Sequence, residues 1–60
     1  MIIETSANCF YSVDPAELAD EPELSHVWLG REVKRTKAGW VFKPKRPLLV
    51  RKDGTRVVEA

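Results

Sequence analysis

The sequence predicts a mainly β fold with one short helical segment, a small α+β domain built from antiparallel hairpins. Three observations carry that prediction. Apolar, β-branched and aromatic residues come in short runs: Ile2-Ile3, Phe10 to Val13, Val27 to Val33, Trp40 to Phe42, Leu48 to Val50 and Val57-Val58. Two glycine turn signals, Thr36-Lys37-Ala38-Gly39 and Asp53-Gly54, separate runs in the second half. Prolines at 15 and 22 keep the helical pattern of the acidic segment to short turns. Sixty residues make one domain, with a strand region over 1–13, an acidic helical or turn segment over 14–26, and a basic hairpin region over 27–60.

In chain order, Ile2-Ile3 and Phe10-Tyr11-Ser12-Val13 read as one bent strand or as two short strands turning near Ala7-Asn8, with Phe10 placed inside. Asp14-Pro15-Ala16-Glu17 is a helix start: an acid to cap free amides, a proline suited to the first helical position, and a glutamate three residues after the cap. Pro22 stops that helix early, so residues 15–20 are expected as one helical turn and 22–26 as a second. Leu18 and Leu24 pin the acidic segment to the core. Val27 to Arg35 alternates most clearly. Val27, Leu29 and Val33 share one face with Arg31 and Arg35, while Trp28, Gly30, Glu32 and Lys34 share the other. Gly30 inside a strand marks a bulge or a close backbone approach.

Thr36–Gly39 turns the chain into Trp40-Val41-Phe42-Lys43, where Trp40 and Phe42 are expected at the centre of the core. Pro44-Lys45-Arg46-Pro47 cannot donate at either proline and so forms a crossover or an edge. Asp53-Gly54 is expected to pair Leu48–Lys52 with Thr55–Glu59 as a hairpin. A small, partly closed barrel of the SH3-like type is favoured over an open twisted sheet, because closure removes exposed strand edges. The likeness is one of architecture, with no motif behind it.

Composition narrows function mainly by exclusion. Cys9 is the only cysteine and His26 the only histidine, so an internal disulfide and a four-ligand zinc site are excluded. No catalytic, cofactor-binding or metal-ligating set is assigned. Ser25 and His26 are chain neighbours and point opposite ways in a strand, and a Cys9–His26 pair has nothing to mark it out. The acids of 14–23 lack calcium-loop spacing. No apolar run approaches the roughly 18 residues of a membrane span, and no basic stretch precedes an apolar one at the N-terminus. The expectation is a cytoplasmic protein with a reduced Cys9, no membrane partner, and, from its start at Met1, a complete small gene product.

Charge is the informative property. Residues 1–30 carry Glu4, Asp14, Glu17, Asp20, Glu21 and Glu23 and no base, a sum of −6. Residues 31–60 carry ten bases against Glu32, Asp53 and Glu59, a sum of +7. Such separation suggests a basic surface with a purpose, or two halves that dock. The leading expectation is a non-enzymatic binding protein whose β surface engages nucleic acid or another polyanion. Lys34, Arg35, Lys37, Lys43, Lys45 and Arg46 would contact phosphates and Trp28 would stack. Trp28 has the opposite parity to Val27, Leu29 and Val33, which turns it outward unless Gly30 shifts the register; packing of both tryptophans in the core is the competing reading.

The alternative is a small protein-interaction, inhibitor or regulatory protein, acting through charge-complementary contacts and in one version as a homodimer. Its contacts would be Trp28, Asp14, Glu17, Asp20, Glu21 and Glu23. A third arrangement lays the acidic segment over the basic region as a brace or flap. Lys43-Pro44-Lys45-Arg46-Pro47 also matches a PxxP core and a short basic localisation signal; a proline-stiffened connection explains it as well.

Overall fold

The computed structural model describes residues 1–6 and 8–60. Its spine is the longest strand, β3 (Val27–Thr36), where the alternation of the sequence is strongest. Ten strand residues span about 33 Å, close to the 37 Å long axis of the molecule. Around β3 lie β1 (Ile2–Ser6), β2 (Cys9–Val13), β4 (Gly39–Phe42), β5 (Leu48–Arg51) and β6 (Arg56–Glu59). All pairings are antiparallel in one sheet, with the path β4-β3-β2-β1-β6 and β5 also on β3.

Gly30 pairs with both Val13 of β2 and Leu48 of β5, and Val33 pairs with both Phe10 of β2 and Phe42 of β4. A residue with two partners has one on each side. Hence β4 and β5 lie end to end along one edge of β3, and β2 takes the other. Residues 43–47 are the crossover that joins them, tightened at Pro44 by a three-residue turn in which the Lys45 amide donates to the Lys43 carbonyl at 2.7 Å.

The Asp53-Gly54 expectation is corrected here. The turn forms, with Gly54 at φ +79° and the Thr55 amide and hydroxyl both donating to the Lys52 carbonyl. However, β5 and β6 do not pair: β5 lies on β3 and β6 on β1, with Ile3 opposite Val57 and Glu4 opposite Arg56. The turn is a corner between the two ends of the sheet. Those ends are four strand spacings apart, about 19 Å if flat, yet residues 52–55 connect them, so the sheet curls. A second tie crosses from β4 to β6, where Trp40 Nε1 donates to Glu59 Oε2 at 2.6 Å. Among the described residues no ladder joins β6 to β4 or β5, so the sheet is open, and the expected partly closed SH3-like barrel is not confirmed.

Register assigns the faces, because paired residues point the same way. One face carries Ile3, Tyr11, Val13, Trp28, Gly30, Glu32 and Val50, and its centre is the buried cluster Ile3, Val13 and Val50 with Met1, Tyr11 and Trp28 against it. Gly30 is there for space: a Cβ would sit 3.0 Å from Val50 Cγ2 and 3.3 Å from Tyr11 Cβ. It marks a close approach, and β3 keeps its register with β2 through it. The opposite face carries Phe10, Val27, Leu29, Val33, Arg35, Trp40 and Phe42. Val27 and Val33 are buried there, and the half-buried Phe10 ring packs on Trp40 with centroids 5.1 Å apart. The alternating strand therefore buries both of its faces.

The acidic segment contains no α-helix. Residues 15–20 are successive turns, with the Glu17, Ala19 and Glu21 amides donating to the carbonyls three residues earlier, and Pro22–Leu24 is a single 3-10 turn. Asp14 Oδ1 accepts from the Ala16 amide at 2.9 Å, a local turn bond in place of a helix cap. Leu18 at φ +65° breaks helical geometry before Pro22 does. Leu18 and Leu24 are both half-buried. Asn8, at φ +68°, turns β1 into β2; Ala7, the other residue expected at this turn, lies outside the described residues.

Candidate polyanion-binding margin

From Val33 to Lys52 the chain holds eight bases and no acid. The fold lays this run along the outer edge of β3, as the end of β3, then β4, the crossover and β5. Past Val33 the ladder to β2 ends, so Lys34–Thr36 and Gly39–Val41 continue as a two-stranded ribbon. The ribbon ends in a tight turn. Gly39 takes φ +111°, and the Thr36 hydroxyl donates to the Gly39 carbonyl at 2.8 Å while accepting from the Ala38 amide at 3.2 Å.

The predicted phosphate contacts divide into two groups. Lys34, Arg35 and Lys37 are exposed on the ribbon and have no acidic partner among the described residues. Lys34 and Arg35 leave it on opposite faces, Lys37 sits in the turn, and the Arg35 guanidinium lies 5.7 Å from the Trp40 ring centre. Arg46, in the crossover, is likewise exposed and unpaired with any described acid. Lys43 and Lys45, in contrast, straddle Pro44 and both reach Glu32, at 2.8 and 3.1 Å. Glu32 is only 12% exposed along its side chain. The hydrogen bonds from Lys43 and then Lys45 hold its carboxyl below its ordinary pKa, and the bond to Glu32 holds the Lys43 ammonium above its own, against a smaller opposing effect of burial. These two lysines clamp the crossover to β3.

Trp28 is half-buried against the Ile3–Val13–Val50 cluster, with Lys52 Nζ 5.5 Å from its ring centre. Phe42, expected in the core, is instead 62% exposed at the base of the ribbon, beside the bases of the same margin. Leu48 and Leu49, 42% and 54% exposed, continue the apolar surface along β5. Pro44 and Pro47 were the available signal: prolines confine their neighbours to an edge, where one side of the strand has nothing to pack on.

In the acidic segment, Glu17 meets Arg31 at 3.4 Å. Asp14, Asp20, Glu21 and Glu23 are exposed and make no ion pair among the described residues. Among the ion pairs, Glu17–Arg31 is the contact between this segment and the basic half. Among the described residues no group of three or more His, Cys, Asp or Glu is placed to hold a metal ion, and no helix is long and apolar enough to cross a membrane. No protein-family model matches this chain, and comparison with curated proteins and with solved structures finds no match.

Proposed function

We propose that the chain is a non-enzymatic, cytoplasmic binding protein whose β3–β4 ribbon engages nucleic acid. The observation that supports this most is the trio Lys34, Arg35 and Lys37, exposed on both faces and the tip of a two-stranded ribbon and free of described acidic partners. A ribbon of this width fits the major groove of a duplex, and charges leaving both of its faces meet both groove walls. Arg46 extends the contact along the margin. Phe42 replaces Trp28 as the residue available for stacking on an unpaired base.

The test is binding to duplex and single-stranded oligonucleotides across a salt series. Engagement of about four phosphates gives a slope of log affinity against log salt near −3.5. Removing two cations with Lys34→Ala and Lys37→Ala should flatten that slope by about 1.8. No binding to DNA or RNA at low salt, or a slope unmoved by this double variant, overturns the reading. A protein-interaction role is the second reading, and the specific observation in its favour is the exposed Leu48-Leu49 pair, which phosphate binding does not use.

A further inference from the structure

The outer side of β5 is an unfilled strand position. The Lys52 amide donates to the His26 carbonyl at 2.9 Å, which makes Lys52 and His26 a hydrogen-bonded pair of the antiparallel ladder. Such pairs alternate. In the register Val27–Arg51, Trp28–Val50, Leu29–Leu49, Gly30–Leu48, the backbone groups of Val50 and Leu48 therefore turn inward to β3, and those of Leu49 and Arg51 turn outward. Among the described residues no strand lies on that outward side. Edge strands in small proteins are usually blunted by an inward charge, a bulge or cover. Here the position carries two exposed leucines, and Pro47, which lacks an amide, ends the edge on one side only.

We propose that β5 is completed by an extended acidic segment of a partner protein, added as a further strand. Charge chooses this occupant. Residues 46–53 carry Arg46, Arg51 and Lys52 against Asp53, a net charge of +2. Two copies of β5 set edge to edge would bring these bases together, and like charges across a ladder oppose pairing. The added strand needs apolar residues opposite Leu48, Leu49 and Val50 and acids opposite Arg51 and Lys52 at one end and near Arg46 at the other. Arg51 is held in a bidentate pair by Asp53, at 3.0 Å for both bonds. Leu49 and Arg51 offer two amides and two carbonyls, enough for four ladder bonds, with Leu48 and Leu49 supplying apolar contact on opposite faces. This surface shares only Arg46 with the contact proposed for nucleic acid, so the proposal stands whether or not the ribbon binds nucleic acid.

Amide hydrogen exchange on the full chain tests it directly. The probe is a blocked heptapeptide reading Glu, Glu, Val, Val, Val, Thr, Glu, with a lysine-for-glutamate version as control. The acidic peptide should slow exchange at the Leu49 and Arg51 amides at least tenfold and leave Trp40 and Phe42, on the edge of β4, unchanged; the lysine version should do neither. Leu49→Pro deletes an outward donor and should abolish protection at Arg51. Leu49→Lys keeps the backbone donor, guards against a proline variant that fails to fold, and should weaken peptide binding at least fivefold. Four results overturn the proposal: no protection, protection on β4 instead, equal protection by the lysine peptide, or protection by a single-stranded oligonucleotide in place of the peptide. Protection of the two amides that rises with protein concentration alone would also overturn it, in favour of a second copy.

Discussion

The two glycine turns of this chain begin alike and end differently. At Thr36–Gly39 the chain reverses and pairs with the strand it has just left. At Lys52–Thr55 it also turns, through a glycine at positive φ, but β6 keeps the same sense along the sheet as β5 and pairs with β1, the first strand of the chain. A turn sequence sets the direction of the backbone over about four residues. Which strand receives the chain is set by what each edge can bury. Along β1, β6 covers the flank of Ile3, the one fully buried large side chain among the described residues, and brings Arg56 to Glu4 at 2.7 Å and Glu59 to Trp40. Along β5 it would have found Leu49 and Arg51 at the surface.

The strongest way to break this contrast is to remove what draws β6 to β1. Ile3→Ala should lower the free energy of unfolding by about 3 kcal/mol. A 60-residue domain has about 3–9 kcal/mol in total, so the urea midpoint should fall by about a third of its value or more. A loss below about 1 kcal/mol would mean that β6 is held by its turn and not by the core.

A smaller effect sharpens the contrast between the turns. Gly39, at φ +111°, lies outside the left-handed region open to other residues, whereas Gly54, at +79°, lies near it. Gly39→Ala should cost about 2 kcal/mol and Gly54→Ala about 1 kcal/mol. Asparagine, which tolerates left-handed backbone, should restore stability at 54 and not at 39. Thermal melts of the four variants decide it, and equal costs at the two sites would remove the distinction.

The smallest expected effect concerns what keeps β5 on β3. Glu32 clamps the crossover through Lys43 and Lys45. Its folded pKa is depressed, so its contribution is present above the ordinary glutamate value of 4.5 and is lost as pH falls through the lower folded value. The raised Lys43 pKa acts at the other end: its contribution is full below the ordinary lysine value of 10.5 and is lost as pH rises through the higher folded value. The clamp's contribution is therefore constant between these limits, and the difference in melting temperature between the protein and Glu32→Gln should shrink at each end. Identical acid limbs for the two proteins would show that the clamp does not hold the crossover.

The candidate basic margin was half legible. Lys34, Arg35 and Lys37 lie where alternation and the hairpin turn put them, because both signals are local. Lys43 and Lys45 looked equivalent to them in sequence, yet their lysines fold back on Glu32, eleven and thirteen residues earlier, through a contact that only the β3–β4 register creates. Phe42 was assigned inward by pairing it with Trp40 at strand spacing. Parity was right, since both share a face, but it does not say how far that face is covered: Phe10 lies against Trp40, while Phe42 stays exposed at the margin.

The sequence by itself determined the strand class, the turn at Gly39, the proline-bounded crossover and the separation of acids from bases. Each rests on interactions within a few residues, or on composition. Tertiary structure decided that β6 joins β1, that the curled sheet stays open, that both faces of β3 are buried, and which bases are left without an acid. Those outcomes depend on contacts between residues about ten to nearly sixty positions apart. There many pairings satisfy the same local pattern, and only the buried surface chooses among them.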